Sequence, residues 1–463
     1  MRNGFIVSLL LTASLFVPAG AVDVARMEQV IQALAADDNF MGTVLVSQGN
    51  TVLVDKGYGS ANLEWNILNS PTTRLRIASL VKQFTAAAIL LLEERGKLNL
   101  DNPVKTYLPD APASWDQVTL FNLLTQTSGI YDYTDRPDFA TMMTRQMTPQ
   151  QLIATFSDRP LEFTPGEEFR YSNSNYVLLG SVIEKVSGIS YAQFLQDNVF
   201  FPLGMHDSGY DSGAVLPQRA SGYVRKNGTL TNATYMNISI PYASGALYST
   251  THDLLTWERA LFGGKIVSPA SLIKMTTPFR AGFGPGAPFK SGYAMGLYVG
   301  STIDGRRELS HTGSLPGFMS IMAAYPDDKL YVIVLSNTES WAFADIASKL
   351  ADIAFGKSVI LRGERKQVQV DPKALARYVG AYQLKSDLVV DVTQDGNALF
   401  VKLANQPQRR QLFPQSNTSF YTKDTDAQVD FQASQGSVTA FLWQEYGRIV
   451  NAPRLSQLQG YKH

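Results

Sequence analysis

The sequence predicts an α+β chain that ends in a small, separate β-rich domain. Two patterns predict the α+β part. Gly42-Thr43-Val44-Leu45-Val46 and Thr51-Val52-Leu53-Val54 flank Ser47-Gln48-Gly49-Asn50, which reads as a β-hairpin. Far downstream, Phe318 to Tyr325 and Tyr331 to Asn337 read as apolar strands joined by Pro326-Asp327-Asp328-Lys329, with a helix from Ala342 to Phe355 behind them. A third pattern predicts the last domain. Beyond Pro372 short alternating strands follow one another, beginning with Leu388 to Val392 and Ala398 to Val401 on either side of the turn signal Asp395-Gly396-Asn397.

The remaining elements follow in chain order. Met1 to Ala21 reads as a secretory signal peptide, with Arg2 as the charged start, Phe5 to Val17 as the apolar middle and Ala19-Gly20-Ala21 as the cleavage pattern. The apolar run is short of the ~20 residues a span needs, so a periplasmic or secreted protein without a stable membrane span is expected. Val24 to Ala36 carries apolar residues at helical spacing. Ala86 to Leu92 predicts a buried helix closed by Gly96. Residues 99–161 read as loops and short helices, with an aromatic loop (Tyr131, Tyr133, Phe139) placed to line a cleft. Tyr176 to Val186 predicts a second helix. A third is capped by Thr250 or Thr251, with Trp257 and Leu261 facing the core. Residues 282–296, rich in Gly, Pro and Phe, predict a mobile loop. The expected organisation is a signal peptide over 1–21, a catalytic domain over 22–358, a linker over 359–372 and a β-rich barrel or sandwich over 373–463, folding on its own.

Composition excludes several classes. The 463 residues are 45% apolar and 17% charged, a globular balance. Lysine plus arginine and aspartate plus glutamate both total 40, which offers no surface for nucleic acid. There is no cysteine, hence no thiol catalysis, and the four histidines have no paired spacing. No metal or cofactor is expected. The partner is a small molecule or a peptide.

Candidate chemistry starts at Arg76-Ile77-Ala78-Ser79-Leu80-Val81-Lys82. Residues i and i+3 of a helix share a face, so Lys82 reaches the Ser79 hydroxyl, a group that needs help to act as a nucleophile. Tyr171 and Asn173 precede the helix at Tyr176, on a loop held by a rigid scaffold. His311-Thr312-Gly313-Ser314 stands before the strand at Phe318, at or beside a sheet edge.

Ser79/Lys82, then Tyr171-Ser172-Asn173, then His311-Thr312-Gly313 resemble, in order and context, the serine β-lactamase and penicillin-binding-protein superfamily. The likeness is to the group of class C β-lactamases, D-Ala-D-Ala carboxypeptidases and β-lactamase-like esterases. It covers about Val24 to Phe355 and extends to Thr127-Ser128-Gly129, Pro165-Gly166-Glu167 and Leu335-Ser336-Asn337. It implies an antiparallel sheet flanked by helices, with the first and last segments of the domain in one sheet. It implies an exported serine hydrolase that forms an acyl-enzyme on Ser79 and cleaves a D-Ala-D-Ala-type peptide, a β-lactam or a short ester. Lys82 and Tyr171 would move protons, with Lys82 favouring a phenolate at Tyr171. Asn173 would orient Lys82 and hold a substrate amide. The N–H groups of Ser79 and Ser314 would form the oxyanion hole, and Gly313 would let substrate approach the strand.

The chain departs from the pattern at His311, where many relatives carry lysine. With an ordinary histidine pKa of ~6.5, His311 would act as a charge switch toward a substrate carboxylate. Gln126, where relatives often have histidine, reads as structural. No G-x-S-x-G elbow occurs. The alternative function is a penicillin-binding or sensor protein, acylated at Ser79 with little turnover.

Overall fold

In the computed structural model, the described residues are 22–36, 39–279, 292–385, 388–404, 408–423, 427–445 and 448–455. The signal-peptide segment, most of the Gly/Pro/Phe-rich loop and His463 lie outside them. Among the described residues, one antiparallel sheet has the strand order 292–293, 298–301, 307–315, 318–325, 330–336, 42–48, 51–58. The hairpin near the start therefore lies beside the last strands of the domain, with Val44 opposite Val334 and Val46 opposite Val332. The first and last segments share one sheet, as the resemblance implied.

Side-chain alternation explains the layers. Val44, Val46, Val332 and Val334 face one side, where helices Val24–Ala35 and Ala342–Ala354 cover them. Leu45, Ile333 and Leu335 face the other side, against a larger helical region. A strand covered on both faces is apolar throughout, and Gly42–Gln48 is buried at all but its last residue. The helix Val81–Glu94 is buried from Val81 to Leu92. It ends at Gly96, whose left-handed φ of 65° closes the last turn. The predicted Thr250 cap is present: its hydroxyl accepts from Asp253 N, and Trp257 and Leu261 are fully buried. Among the described residues no helix is long and apolar enough to cross a membrane.

The C-terminal strands form an eight-stranded meander in sequence order from 380–385 to 448–453. Its ends approach each other, with Tyr382 bridging Arg454 and Leu455 N donating to Ala381 O at 2.8 Å. The result is a nearly closed barrel around Tyr382, Val401, Phe431 and Phe441. The segment between the two sheets is tied to both. Arg26 pairs with Glu364, and Arg365 donates to Gln415 at 3.2 Å. Among the described residues the barrel has its own core and shares no strand with the larger sheet. Expressed alone from Val370 to His463, it should show β-type circular dichroism and one cooperative thermal transition. A disordered product would mean that its core depends on the rest of the chain.

Candidate active site

The Ser79 turn is clamped before the helix begins. Ile77 N donates to Leu247 O at 3.1 Å, and Ile77 O accepts from the Ser320 hydroxyl at 2.8 Å. Ala78 then takes a left-handed φ of 50°, a conformation that costs a non-glycine residue about 1–2 kcal/mol. That twist turns the chain into a 3-10 turn over Ala78–Leu80, and the α-helix starts at Val81. Ser79 thus sits on the 3-10 turn rather than inside the first α-helical turn.

Lys82 is completely buried. Its Nζ donates to Ser79 Oγ at 3.0 Å, Asn173 Oδ1 at 2.9 Å and Ser244 O at 2.9 Å. It also lies 4.9 Å from the centre of the Tyr171 ring and 5.5 Å from that of Tyr176. Burial pushes Lys82 down to about 7, against the pull of Asp132.

Asn173 is the first residue of the helix Asn173–Ser187 rather than a loop residue. Its Nδ2 donates to Asp132 Oδ2 at 3.0 Å. The amide end expected to hold substrate is thus turned toward a carboxylate. Tyr171 contradicts a further expectation. Burial, with Tyr298 next, raises its phenol well above 10, and the Ser79 hydroxyl offsets this only in part. A phenolate is not favoured there.

His311 lies within the sheet, on the third strand from its edge, and is buried. Its Nδ1 is 2.6 Å from Thr312 O, a group that only accepts, so Nδ1 carries the proton. Nε2 then accepts from the Tyr293 hydroxyl at 3.3 Å. Tyr298, Tyr293 and Tyr171 surround the ring at 5.2, 5.9 and 6.1 Å. Burial, then the nearby Lys82, lowers His311 to about 3. The expected charge switch near neutral pH is therefore absent: this imidazole is neutral and both nitrogens are engaged.

Gly313 also meets a need that the sequence did not show. A Cβ there would lie 2.3 Å from Ser320 Oγ and 2.4 Å from Ile77 O, so the missing side chain lets the Ser79 turn press onto the strand. Gln126 is buried, and its Oε1 accepts from Ser172 N at 3.1 Å and Asn175 Nδ2 at 2.6 Å, a bracing role for the Tyr171 segment.

Ser79, Tyr171, Asn173, His311, Thr312 and Ser314 line one cavity of about 550 Å³, with Tyr133 and Phe139 of the aromatic loop on its wall. Lys82 and Gly313 lie behind that surface. Sequence reasoning missed Asp132, the Ser244 carbonyl, Tyr293, Tyr298 and Glu339. A backbone carbonyl has no side-chain signature, and Asp132 sits inside the aromatic loop, where its neighbours drew the reading.

A family model described as Beta-lactamase matches residues 27–355, and one described as Domain of unknown function (DUF3471) matches 364–457. Penicillin-binding protein 4* of Bacillus subtilis (strain 168) is 30% identical over 450 residues, 93% of this chain and 98% of that protein. The octameric penicillin-binding protein homologue from Pyrococcus abyssi superposes with a TM-score of 0.66 at 27% identity, covering 93% of this chain and 100% of that one. A D-stereospecific amidohydrolase from Streptomyces sp. gives a TM-score of 0.63 at 28% identity, over 73% of this chain and 100% of its own.

The Gly313 contact generates a test. Overpacking a dense site costs about 1–3 kcal/mol, and here the displaced neighbour carries Ser79. Gly313→Ala should lower the melting temperature and slow fluorophosphonate labelling of Ser79. Wild-type labelling at wild-type stability would show that the turn does not need this close approach.

Proposed function

The chain belongs to the β-lactamase family and is a serine hydrolase, and on that premise we propose that it is an exported enzyme that forms an acyl-enzyme on Ser79, with Lys82 as the base. The set of Lys82 partners carries this reading. A neutral amine has two N–H bonds and one lone pair. Asn173 Oδ1 and Ser244 O can only accept, so they take the two protons and leave the lone pair on Ser79 Oγ, 3.0 Å away. Half-deprotonated near neutral pH, Lys82 is matched to general-base work.

Ser79 Oγ bonds to the acyl carbon as its proton passes to Lys82. The bond to the leaving group breaks as that proton, directly or through the neutral Tyr171 phenol, reaches the departing nitrogen or oxygen. In deacylation a water gives a proton to Lys82 as its oxygen bonds to the acyl carbon, the bond from that carbon to Ser79 Oγ breaks, and Oγ takes the proton back as the acid leaves. The N–H groups of Ser79 and Ser314 receive the oxyanion. The apolar middle and small-residue end of residues 1–21 support export.

The charge of the cavity narrows the substrate. Among the described residues that line it, none is lysine or arginine and one, Glu339, is acidic. The described lining favours an acyl donor, amide or ester, without a carboxylate beside the reacting carbonyl. A charged partner for a carboxylate is worth about 1.5–3 kcal/mol against about 0.5–1.5 for a neutral one, and this site offers no charged one at His311.

Intact-mass measurements with a D-Ala-D-Ala peptide, a D-amino-acid amide, a short ester and a cephalosporin test the reading. A Ser79 adduct that turns over supports it. An adduct that persists without turnover identifies a penicillin-binding or sensor protein instead. No adduct with any compound, or an unchanged adduct in Ser79→Ala, removes Ser79 as nucleophile.

Two pH predictions follow from the lysine and the histidine. Lys82 must be neutral to act, so kcat/KM for an uncharged ester should rise with pH through about 7. A profile flat from about pH 5 to 9 would exclude Lys82 as the base. The ratio of kcat/KM for a carboxylate-bearing substrate to that for its neutral analogue should be low and flat between about pH 5 and 8, because His311 titrates far below that window. Glu339→Gln should raise the ratio roughly two- to fivefold, the range for one exposed charge. A ratio that falls as pH rises would restore His311 as the selecting group.

A further inference from the structure

We propose that Asp132 is a positioning residue for proton transfer, which holds the Asn173 amide with its oxygen toward Lys82 and so aims the Lys82 lone pair at Ser79. The inference rests on Ser79 and Lys82 acting as described above.

Asp132 is buried, and its carboxylate is surrounded by donors. Oδ1 accepts from Thr134 N at 3.0 Å. Oδ2 accepts from both Asn173 N and Asn173 Nδ2, each at 3.0 Å. All three are N–H donors, and a Thr134 side-chain hydrogen bond joins them; together they favour the ionised carboxylate, which accepts at both oxygens. One of them is the first N–H of the helix Asn173–Ser187, where the helix end also favours negative charge. Burial and the neighbouring Asp135 push the other way and raise the Asp132 carboxyl.

The consequence reaches Lys82 through one side chain. An amide has a donor end and an acceptor end. With Nδ2 committed to Asp132, Oδ1 must face Lys82, and it does so at 2.9 Å. A reversed amide would set oxygen against the Asp132 carboxylate and N–H against the lysine amine. It would also offer a donor to the lone pair and draw it away from Ser79. Asp132 thus fixes the direction of a base that it does not touch. The other ionisable groups facing Lys82 are Tyr171 and Tyr176, whose rings flank it, and His311, on which it acts electrostatically. Asp132 is the acidic group drawing it toward the charged form.

The test is Asp132→Asn, which keeps the shape, removes the charge and lets the Asn173 amide reverse. With an uncharged ester, kcat/KM should fall about 100-fold, within the span of general-base catalysis. Its acidic limb should move to lower pH, because the charge that stabilises the Lys82 ammonium is gone. A residue that merely caps the helix would lower the melting temperature and leave the limb in place, and that result overturns the proposal. So does a wild-type rate. If Asp132→Asn does not fold, Asp132→Glu carries the test, with a lowered rate and an unmoved limb expected and a wild-type rate as the contrary result. Fluorophosphonate labelling of the wild type separates the two levels. An unlabelled Ser79 defeats the nucleophile assignment, whereas a labelled Ser79 with an indifferent Asp132→Asn defeats this inference alone.

Discussion

A primary amine sealed from water is the constraint on which the site depends. Holding Lys82 at about 7 instead of its ordinary 10.5 costs folding on the order of 5 kcal/mol at pH values below 7, a cost that fades as pH rises toward 10.5. The fold tolerates it because every partner of the amine is an acceptor or an aromatic face. Three oxygens lie within 3.0 Å of Nζ, and the rings of Tyr171 and Tyr176 flank it. Those partners come from the Ser79 turn, from the Tyr171 segment with its helix, and from the turn at Tyr242–Gly245. Bringing them to one point is what the packing of the helical region onto the sheet accomplishes.

The sheet contributes rigidity rather than reacting groups. Strand Arg307–Leu315 is paired with strand 318–325 from Leu309 to Leu315 and with strand 298–301 from Arg307 to Ser310, so Gly313, opposite Ser320, meets the Ser79 turn from a fixed place in the sheet. On the other side of that turn the Leu247 carbonyl holds Ile77. Ala78 is strained between these two clamps. Strain of this kind persists only where the surroundings over-determine it, and here the clamp holds Ile77, two residues before Ser79.

The fold was legible because its signals are local and repeated. Apolar alternation in Gly42–Gln48 and Leu330–Ser336 and the cap at Thr250 each show in a short window of sequence. The order Ser79, Lys82, Tyr171, Asn173, His311 was legible through resemblance, and the side chains do converge, five of them on one cavity or the amine behind it. What could not be read is direction and environment. No spacing tells that the Asn173 amide nitrogen is turned toward Asp132, or that Gly313 makes room for Ile77. His311 shows the limit most plainly. Its ordinary pKa suggested a switch, yet its behaviour is decided by three tyrosines, Lys82 and a backbone carbonyl, which only tertiary packing brings together.

Those environments also fix which protons can move. His311 is lowered to about 3, and Tyr171 and Tyr293 are raised well above 10, each chiefly by burial. Lys82 is lowered by the same cause and stops at about 7. Desolvation disfavours the charged form of every group. It therefore drives an imidazole and phenols out of the working range, and it brings an amine, which starts at 10.5, into that range. One physical effect thus separates these four groups by their starting values: the imidazole and the two phenols stay neutral, and Lys82 alone of them is brought near neutral pH, with Asp132 drawing it toward the charged form. In the proposed mechanism such a site activates Ser79 without a second titrating partner. Its proton economy is set by how deeply one lysine is buried and which acceptors are turned toward it.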